Sequence, residues 1–474
     1  LQQCDFVIVS DCIRDTDTTQ YANVLFPSQA WGERDGTVTN SERRISRQRM
    51  FLPTPGDARP DWWIISAIAK RLGYAAAFDY PSPVDIFREH AELSGFDNNG
   101  TRAFDISAFS NITNNGYETL LPTQWPVNAT ASQGTARLFS DGRFFTDSEK
   151  ARFIAVAGHE PAVRASADYP LKLNSGRIRD HWHTMTRTGK SSRLSGHIYE
   201  PYAEIHPDDA LQSQLEDGSL VEVNSTYGKV IVRARVSDAQ QQGSVFIPMH
   251  WNDQFASKSY VDALVNPITD PVSGQPEFKH TPVNIVAYKP AWYGFVLSRR
   301  RLRILNASYW SCSRGKGLWR YEIAGKEAPE DWASCARGLL CRHAEKVEWV
   351  EYFDPAASRY RAARIENGRL ESCIFIGPDH QLPERDWLTQ LFTNETLDVT
   401  ERTSLLTGKP ASGQHDVGRT VCACFGVGVN VLIDAIKTQR LATTEAVGEV
   451  LRAGTNCGSC VPEIKNLIQQ SLAE

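Results

Sequence analysis

The stretch SLVEVNSTYGKVIVRARV, residues 219–236, contains two runs rich in β-branched residues that are separated by a Tyr-Gly pair. Short apolar runs around such a turn predict paired β-strands. Similar runs occur before and after it: FIAVAG at 153–158, AEIHP at 203–207, SVFIPMHW at 244–251 and VNIVAY at 283–288. A series of short strands joined by turns predicts a compact β-barrel over residues 151–288.

A different pattern precedes the barrel. FVIVS at 6–10 is an apolar run typical of a buried parallel strand, and YANVLFP at 21–27 provides a second apolar piece. Ser10 and Asp11 stand at the carboxyl end of the first strand, which is the edge where ligands bind in doubly wound sheets. We interpret residues 1–95 as the end of an α/β unit.

The segment WWIISAIAKRLG at 62–73 predicts a helix in this unit. Asp61 stands where an N-cap is expected, and Gly73 stands where a C-cap is expected. Five apolar residues fall on one helical face and are expected to be buried: Ile64, Ile65, Ile68, Ala69 and Leu72.

The regions that flank the barrel are less regular. Residues 96–150 are rich in Asn, Thr, Ser and Gly and predict an irregular connection. Residues 289–412 predict an α+β module, in which Asn367-Gly368 marks a hairpin. The basic stretch SRRRLRI at 298–304 suggests a solvated linker or an RNA contact. We favour the linker, because the stretch lacks the interleaved aromatic residues of a base-stacking surface.

The tail, residues 413–474, predicts a small helical domain. VNVLIDAI at 429–436 places Val429, Ile433 and Ile436 on one face of a first helix. Two further helices are predicted from TTEAVGEVLRAG at 443–454, which has threonine caps in front, and from PEIKNLIQQSL at 462–472, which has a proline in its first turn.

Four of the ten cysteines are grouped in this tail. Cys422 and Cys424 form a C-x-C motif, Cys457 and Cys460 form a C-x-x-C motif, and 32 residues separate the two. Such pairs suit zinc, or a [2Fe–2S] cluster in which each iron takes two thiolates. Disulfides are disfavoured, because ten cysteines in 474 residues are far fewer than in a secreted scaffold and indicate a reducing, cytoplasmic compartment.

Cationic and hydroxyl side chains crowd one short stretch of the barrel region. They are Ser175, Arg177, Arg179, His181, His183, Thr184, Thr186 and Arg187. Such a mixture is suited to a diphosphate. A basic surface loop is the alternative, because the stretch lacks a glycine-rich phosphate fingerprint.

Length and charge limit the classes of function. A chain of 474 residues and 53 kDa exceeds one core, so several domains are expected. Its net charge of −5 provides no electrostatic footprint for nucleic acid, and no apolar run is long enough for a membrane span. Because the chain begins at Leu1 and soon enters an apolar strand, we expect an N-terminal part of the protein to precede it.

The cysteine pattern resembles the bacterioferritin-associated-ferredoxin-like [2Fe–2S] domain. WGERDGTVTNSERRISRQR at 31–49 and GDARPDWW at 56–63 resemble the molybdopterin-binding α/β domain of the dimethyl-sulfoxide-reductase superfamily. LNSGRIRDHWHTMTRTG at 173–189 and DPVSGQPEFK at 270–279 resemble that superfamily's pterin-dinucleotide barrel, of double-psi type. Taken together in their order along the chain, these motifs resemble the catalytic subunits of bacterial assimilatory nitrate reductases. The resemblance is looser over residues 290–410.

The resemblance implies a bis-molybdopterin guanine dinucleotide bound to molybdenum and a [2Fe–2S] cluster held by the four tail cysteines. Residues that match one guanine-dinucleotide arm are Ser10, Asp11, Arg34 and Asp61. Residues that match the surroundings of the pterins are Ser175, Gly176, Arg177, His181, Trp182, His183, Thr184 and Lys279. Asp262 replaces the family's usual asparagine, and an ionised carboxylate can only accept hydrogen bonds. Residues 1–75 and 151–288 are expected to enclose one shared cofactor.

The implied reaction is the reduction of nitrate to nitrite, with electrons delivered to the [2Fe–2S] cluster by an NAD(P)H-oxidising flavoprotein or a ferredoxin-type donor. The family's molybdenum ligand and its [4Fe–4S] motif are absent from this chain and are expected upstream, so the chain alone is expected to be inactive. Formate oxidation on the same scaffold, and a non-catalytic zinc or iron–sulfur module, are the alternatives.

Overall fold

The computed structural model describes residues 1–155, 157–304, 307–341, 347–411 and 417–473. The chain folds into two compact units, Leu1–His159 and Glu160–Glu474. The first unit has one apolar core, and the second has separate cores for its barrel, its large sheet and its tail. The predicted five-part division is finer than these two units and stays a prediction.

The first unit begins with two parallel strands, β1 (Ile8–Asp11) and β2 (Val24–Pro27), in which Ile8 lies opposite Val24. The parallel pairing predicted from FVIVS is confirmed, but its predicted burial is wrong. Phe6 is 62% exposed and Ile8 is 50% exposed, whereas Val7 is buried. A sheet of two strands covers too little area to bury both of its faces.

The remaining elements of this unit are an antiparallel sheet and three helices. They are β3 (Gly36–Thr39), β4 (Arg44–Gln48), α1 (Asp61–Arg71), α2 (Pro83–Gly95), α3 (Asn114–Glu118) and β5 (Thr123–Gln124). Residues 96–150 contain few regular elements, yet Ile106 and Tyr117 pack into the core with Phe87 of α2. The segment is therefore an integral part of the first unit.

Helix α1 is where it was predicted, but its apolar face is only partly buried. Ile64 and Ala69 are buried, whereas Ile65 and Leu72 are 58% and 70% exposed. Pro60 is the N-cap residue and Asp61 is the first helical residue, so the predicted capping role of Asp61 is wrong. The left-handed φ of +96° at Gly73 fits the predicted helix end.

A closed six-stranded barrel opens the second unit, as predicted. Its strands are β6 (Leu171–Gly176), β7 (Tyr202–Ile205), β8 (Leu220–Asn224), β9 (Lys229–Val236), β10 (Ser244–Pro248) and β11 (Thr281–Tyr288), with α4 (Pro207–Gln212) between β7 and β8. The spatial order is β10-β6-β11-β8-β9-β7. Pairs β6–β10 and β7–β9 are parallel, and the other neighbours are antiparallel.

One predicted strand of the barrel is wrong. Within FIAVAG, the described residues 153–155 and 157–158 form no strand, and Val156 lies outside the described residues. Phe153 is fully exposed. The barrel uses β6 instead, in which only Leu171 and Leu173 alternate inward before the polar end of the strand, so its sequence signal is weak.

A six-stranded antiparallel sheet follows the barrel. Its elements are β12 (Trp292–Ser298), β13 (Tyr309–Gly315), β14 (Leu318–Gly325), α5 (Trp332–Leu340), β15 (Glu348–Asp354), β16 (Arg359–Glu366), β17 (Arg369–Gly377), α6 (Arg385–Leu391) and α7 (Val399–Ser404). The predicted hairpin is confirmed, with positive φ at both Asn367 and Gly368, as a type I′ turn requires.

The prediction of a solvated linker at 298–304 is wrong. Ser298 ends β12 and is fully buried. Arg299 donates from Nε to the Leu370 carbonyl over 2.8 Å and from Nη2 to the Phe392 carbonyl over 2.7 Å. Arg301 donates to the Gln254 carbonyl over 2.9 Å. These guanidinium groups satisfy backbone carbonyls between packed elements, which is a structural use of positive charge.

The tail forms the three predicted helices, preceded by a short hairpin that was not predicted. They are β18 (Thr420–Cys422), β19 (Val427–Gly428), α8 (Val429–Gln439), α9 (Thr444–Leu451) and α10 (Val461–Ala473). The core includes Leu432 and Ile436 of α8, while Val429 and Ile433 pack at its edge. Thr443 caps α9 by accepting from the Ala446 amide over 3.2 Å. Across the part of the chain that the structure describes, no helix has both the length and the apolarity to cross a membrane.

Candidate functional site

The loop that connects β6 and β7, residues 177–201, is called here the barrel loop. His250 follows β10 and is completely buried. Its Nε2 accepts from the Ile178 amide over 2.9 Å, and its Nδ1 lies 2.7 Å from the His183 carbonyl, to which it donates. Burial lowers the pKa of His250. The neutral imidazole therefore joins two points of the loop to the barrel.

His181 belongs to the barrel loop. Its ring centroid lies 5.8 Å from that of His250 and 5.9 Å from that of Trp251. Only 5% of the residue is exposed. Burial lowers the pKa of His181 to about 4, and the neighbouring His250 adds to this effect. His181 is neutral at physiological pH, so the cationic role suggested by its sequence neighbours is wrong.

The residues next to His181 point outward. Trp182 is 58% exposed, and the Arg177 guanidinium lies 4.7 Å from its ring centroid. His183 and Thr184 are also exposed, and His183 has a left-handed φ of 45°. A strained backbone that presents a cation, an aromatic face and a hydroxyl side by side can bind a flat anionic ligand.

The segment 270–279 joins the same end of the barrel. Lys279 donates from Nζ to the carbonyl of Ser175, and the Ser175 hydroxyl donates to the Phe278 carbonyl over 3.2 Å. A Cβ on Gly176 would lie 2.9 Å from the Phe246 ring, so only glycine fits there without a shift. Three residues predicted for the site, Ser175, Gly176 and Lys279, are thus brought together.

Unpaired polar atoms lie close to this segment. Both amide atoms of Asn266, only 2% exposed, lack a hydrogen-bond partner among the described residues, as do Glu277 Oε1 and His280 Nδ1. The backbone N–H of Asn266 donates to the hydroxyl of Thr281 over 3.2 Å. Asn266 therefore contacts the residue that follows His280 in the chain. Buried polar atoms without partners are rare in folded proteins, and these atoms have hydrogen-bonding capacity for a bound ligand, an ion or water. Sequence reasoning missed Asn266 because a lone asparagine carries no motif.

Asp262 lies in a short 3₁₀ turn, Val261–Ala263, in the same region. Desolvation raises the pKa of its carboxyl, although a hydrogen bond with Tyr260 opposes this. Burial thus makes the charged carboxylate less favourable here than the neutral asparagine amide would be.

The first unit has its own polar cluster. The Ser10 hydroxyl donates to Asp61 Oδ1 over 2.7 Å, and Arg34 Nη1 lies 3.6 Å from Asp61 Oδ2. Asp11 Oδ1 accepts from the Ile13 amide over 2.9 Å. Three of the four predicted dinucleotide residues therefore meet in one place, while Asp11 is used in a local turn. Arg34 and Asp61 remain accessible, with side chains 40% and 44% exposed.

The four tail cysteines lie in two loops, residues 422–426 and 453–460, called here the thiol loops. Cys424 Sγ and Cys457 Sγ are 3.2 Å apart, and the buried Cys422 interacts with the buried Cys460. Each contact joins one loop to the other. The two motifs therefore bring all four sulfurs to one place, which supplies the four thiolates that a cluster with two irons requires.

The structure also bears on sites for a single metal ion and on the state of the cysteines. Within the described ranges, no group of three or more His, Cys, Asp or Glu side chains has the geometry to hold one metal ion. All ten cysteines, each in the described part of the chain, are free thiols. The tail sulfurs are thus unlinked and available as ligands.

The inner and outer thiols have different acidities. Burial raises the pKa of Cys460 to about 11, and the charge of the neighbouring Cys422 raises it further. Burial also opposes ionisation of Cys457, but hydrogen bonds from Ser459 and Cys424 and the charge of Arg179 lower its pKa to about 7. Cys457 therefore ionises more readily than Cys460, which would lose its proton when metal binds.

Three family models match the chain. Molybdopterin oxidoreductase matches residues 1–71, the molydopterin dinucleotide binding domain matches 171–282, and the BFD-like [2Fe–2S] binding domain matches 420–470. Residues 1–71 and 171–282 are therefore molybdopterin oxidoreductase domains. The chain carries the binding domains for a molybdopterin dinucleotide and for a [2Fe–2S] cluster, as predicted.

Proteins similar to this chain include a nitrate reductase of Klebsiella oxytoca, 39% identical over all 474 residues, which are 53% of that protein. The assimilatory nitrate reductase catalytic subunit of Bacillus subtilis is 33% identical over 57% of this chain and 37% of its own length. The F420-dependent formate dehydrogenase subunit alpha of Methanocaldococcus jannaschii is 34% identical over 60% of this chain and 39% of its own. The chain spans about half or less of the length of these relatives.

The residues of the chain fit both cofactors. The thiol loops provide four sulfurs for two irons. The barrel end provides donors and acceptors without partners of their own, Asn266 among them, for a polar dinucleotide. The match over 171–282 includes the whole barrel loop and the whole 262–281 segment.

Proposed function

We propose that the chain is part of an assimilatory nitrate reductase, which reduces nitrate to nitrite at a molybdenum centre held by bis-molybdopterin guanine dinucleotide. The observation that carries the proposal is the extent of similarity to the Klebsiella oxytoca nitrate reductase, which includes the [2Fe–2S] tail as well as the pterin domains. The cofactor supplies the oxygen-atom transfer and the electron storage that nitrate reduction needs.

The protein residues bind and orient that cofactor. In the barrel, Arg177 and Trp182 offer a cation and an aromatic face, and Asn266 offers an amide with a free donor and a free acceptor. In the first unit, Arg34 offers a guanidinium fork for a diphosphate, and Asp61 offers carboxylate oxygens for the N–H edge of a guanine. We propose that each group binds part of a dinucleotide, through Ser10, Arg34 and Asp61 in the first unit and through the 175–184 stretch and Asn266 in the second.

The tail is the proposed entry point for electrons. Cys457 is exposed, so the cluster edge is accessible to a partner. The donor would be an NAD(P)H-oxidising flavoprotein or a ferredoxin-type protein in the cytoplasm. The molybdenum ligand and a [4Fe–4S] cluster are proposed to belong to a part of the protein outside this chain.

Formate oxidation is the second candidate. It is favoured by similarity to the formate dehydrogenase subunit, which covers 60% of the chain. Membership of the same structural family does not determine the substrate. The nitrate reading is preferred because its relative matches every part of the chain, including the sheet between barrel and tail.

The test is an assay of the purified full-length holoenzyme. We expect nitrate reduction with a small artificial reductant and no formate oxidation with an artificial electron acceptor. Metal and sulfide analysis is expected to show molybdenum and acid-labile sulfide. Formate oxidation without nitrate reduction would replace the proposal by its alternative, and zinc without sulfide in the tail would remove the electron-entry role.

A further inference from the structure

The barrel loop touches the thiol loops directly. Arg179 Nη1 lies 2.6 Å from Cys457 Sγ and also donates to the Ser459 hydroxyl. Arg193 Nη2 donates to the Cys424 carbonyl over 3.4 Å, and a Cβ on Gly196 would lie 3.3 Å from the Cβ of Ala423. Barrel and tail belong to one compact unit, so these contacts are internal to it.

Neighbouring groups fix the orientation of the Arg179 guanidinium. Asp180 accepts from Nε over 2.7 Å and from Nη2 over 2.5 Å, which is a two-point contact. The Asp180 carboxylate also lies 2.6 Å from Nδ1 of His197. With its far side occupied by Asp180, the guanidinium directs the remaining nitrogen, Nη1, at the sulfur.

An N–H group aimed at a cluster sulfur has a defined electrostatic effect. Reduction adds one electron to a [2Fe–2S] cluster, and part of the added charge is shared by its thiolate ligands. A charge-assisted hydrogen bond to a thiolate is therefore stronger in the reduced state, which raises the reduction potential. Hydrogen bonds to the sulfurs are among the main determinants of such potentials.

We propose that Arg179 is a positioning residue that links the barrel loop to the [2Fe–2S] site and raises the reduction potential of the cluster through its contact with Cys457. The same side chain keeps the Cys457 edge of the tail against the loop that carries Arg177 and Trp182. The potential effect requires only that the tail binds the cluster, and its role in electron entry rests on the proposed function. Asp180 and His197 hold Arg179 in place.

The test compares Arg179→Gln and Arg179→Lys in the full-length holoenzyme. The midpoint potential of the [2Fe–2S] cluster is measured by redox titration with electron paramagnetic resonance, and iron and sulfide are counted in each variant. We expect Arg179→Gln to shift the reduction equilibrium about tenfold toward the oxidised cluster, which corresponds to a potential lower by about 59 mV. Arg179→Lys keeps the charge and is expected to recover part of the shift.

Arg440→Gln is the matched control, because it removes the same charge from the same small domain. Arg440 follows the C-terminal end of α8, whose N-terminus adjoins the first thiol loop, and 11 helical residues span about 16 Å. We expect its potential to equal that of the unmodified protein. An equal shift in Arg440→Gln would show a general charge effect and overturn the proposal.

Two further outcomes would overturn it. One is a full cluster with an unchanged potential in Arg179→Gln. The other is loss of the cluster in both Arg179 variants, because that would make Arg179 a folding residue only. If Arg179→Gln alone loses the cluster, a drop smaller than about 59 mV in Arg179→Lys supports the proposal, and a drop of the full size contradicts it. The titration uses neither nitrate nor a physiological donor, so failure of nitrate reduction would contradict the proposed function alone.

Discussion

His181 illustrates how burial decides the role of a residue. Its position between arginines suggested a cation, but it lies against His250 and Trp251 with 5% of its surface exposed. The cost of burying a charge then favours the neutral ring. Sequence reasoning singled out the residue but could not know its depth, because the neighbours that bury it follow β10, about 70 residues later.

The lowered pKa of His181 predicts a dependence of stability on pH. A histidine whose folded pKa is about 4 binds its proton more tightly when unfolded, near 6.5, so its contribution is complete above about pH 6.5 and is lost as pH falls toward 4. The loss by pH 4 is about 3 kcal/mol. His250 faces the same ring and acts in the same direction, and Asp180 opposes it.

Urea denaturation at several pH values, followed by circular dichroism, measures this loss. We expect His181→Gln to flatten the pH profile of the barrel, because it removes the titrating group. The exposed His159, substituted by Gln, is expected to leave the profile unchanged. An identical pH profile in His181→Gln would mean that other groups carry the dependence.

Asp262 and Asp270 form a contrasting pair in the same segment. Desolvation raises the pKa of Asp262, so its ionised form disfavours folding as pH rises through that pKa. Hydrogen bonds from Ser273 and Val272 lower the pKa of Asp270, so its ionised form stabilises the turn above the unfolded pKa. We expect Asp262→Asn to raise or preserve stability and cofactor content at neutral pH, and Asp270→Asn to lower stability.

Two measurements test Asp262→Asn and Asp270→Asn. One is the amount of pterin released from equal amounts of each purified variant, and the other is the midpoint of urea denaturation. Loss of pterin in Asp262→Asn at unchanged stability would mean that the carboxylate itself is needed. Equal stability of Asp270→Asn and the unmodified protein would contradict the role of its three hydrogen bonds.

At the scale of secondary-structure elements, local sequence patterns were sufficient to predict a helix, strand or hairpin where those patterns were strong. Helices α8, α9 and α10, the barrel strands β7 to β11 and the Asn367-Gly368 hairpin follow from periodicity, caps and turn residues. Strand β6 was missed and FIAVAG was wrongly taken as a strand. A strand needs a partner to satisfy its backbone, and partner choice depends on residues distant in sequence.

The hairpin between β16 and β17 yields a test with an internal control. Gly368 has a φ of +76°, which alanine adopts only with strain, so Gly368→Ala is expected to destabilise this sheet by about 1 kcal/mol. Gly338 lies within α5, and a Cβ there meets no atom within 4 Å. Gly338→Ala is expected to stabilise by about 0.5–1 kcal/mol.

Calorimetry of both glycine variants measures the opposite shifts in the transition that contains the sheet. Destabilisation by both substitutions would show that packing outweighs backbone conformation at Gly338. Stabilisation by Gly368→Ala would contradict the type I′ turn.

At the scale of the whole molecule, the electron-entry role makes a prediction for the full-length enzyme. Cys457→Ser replaces a thiolate ligand by a poorer one, so nitrate reduction driven by NAD(P)H through the physiological donor is expected to fall by at least about tenfold, a size that changes around a metal site commonly cause. A small artificial reductant that reaches molybdenum directly is expected to keep its activity.

The exposed Cys4, substituted by Ser, is the matched control and is expected to leave both activities unchanged. Molybdenum content is measured in each protein. Equal loss of activity with both reductants at normal molybdenum content would assign the tail a role other than electron entry.

The sequence alone predicted the barrel, and its resemblance to known families indicated the two pterin domains and the [2Fe–2S] tail, because strand periodicity, cysteine spacing and motif order are local properties of the chain. Only the tertiary structure placed Arg179 against Cys457, 278 residues away, and left the amide of Asn266 buried without a partner. It also made His250 the residue that joins the barrel loop to the barrel. Contacts between distant residues, and the burial they cause, arise when separate elements pack, and no local pattern encodes that packing.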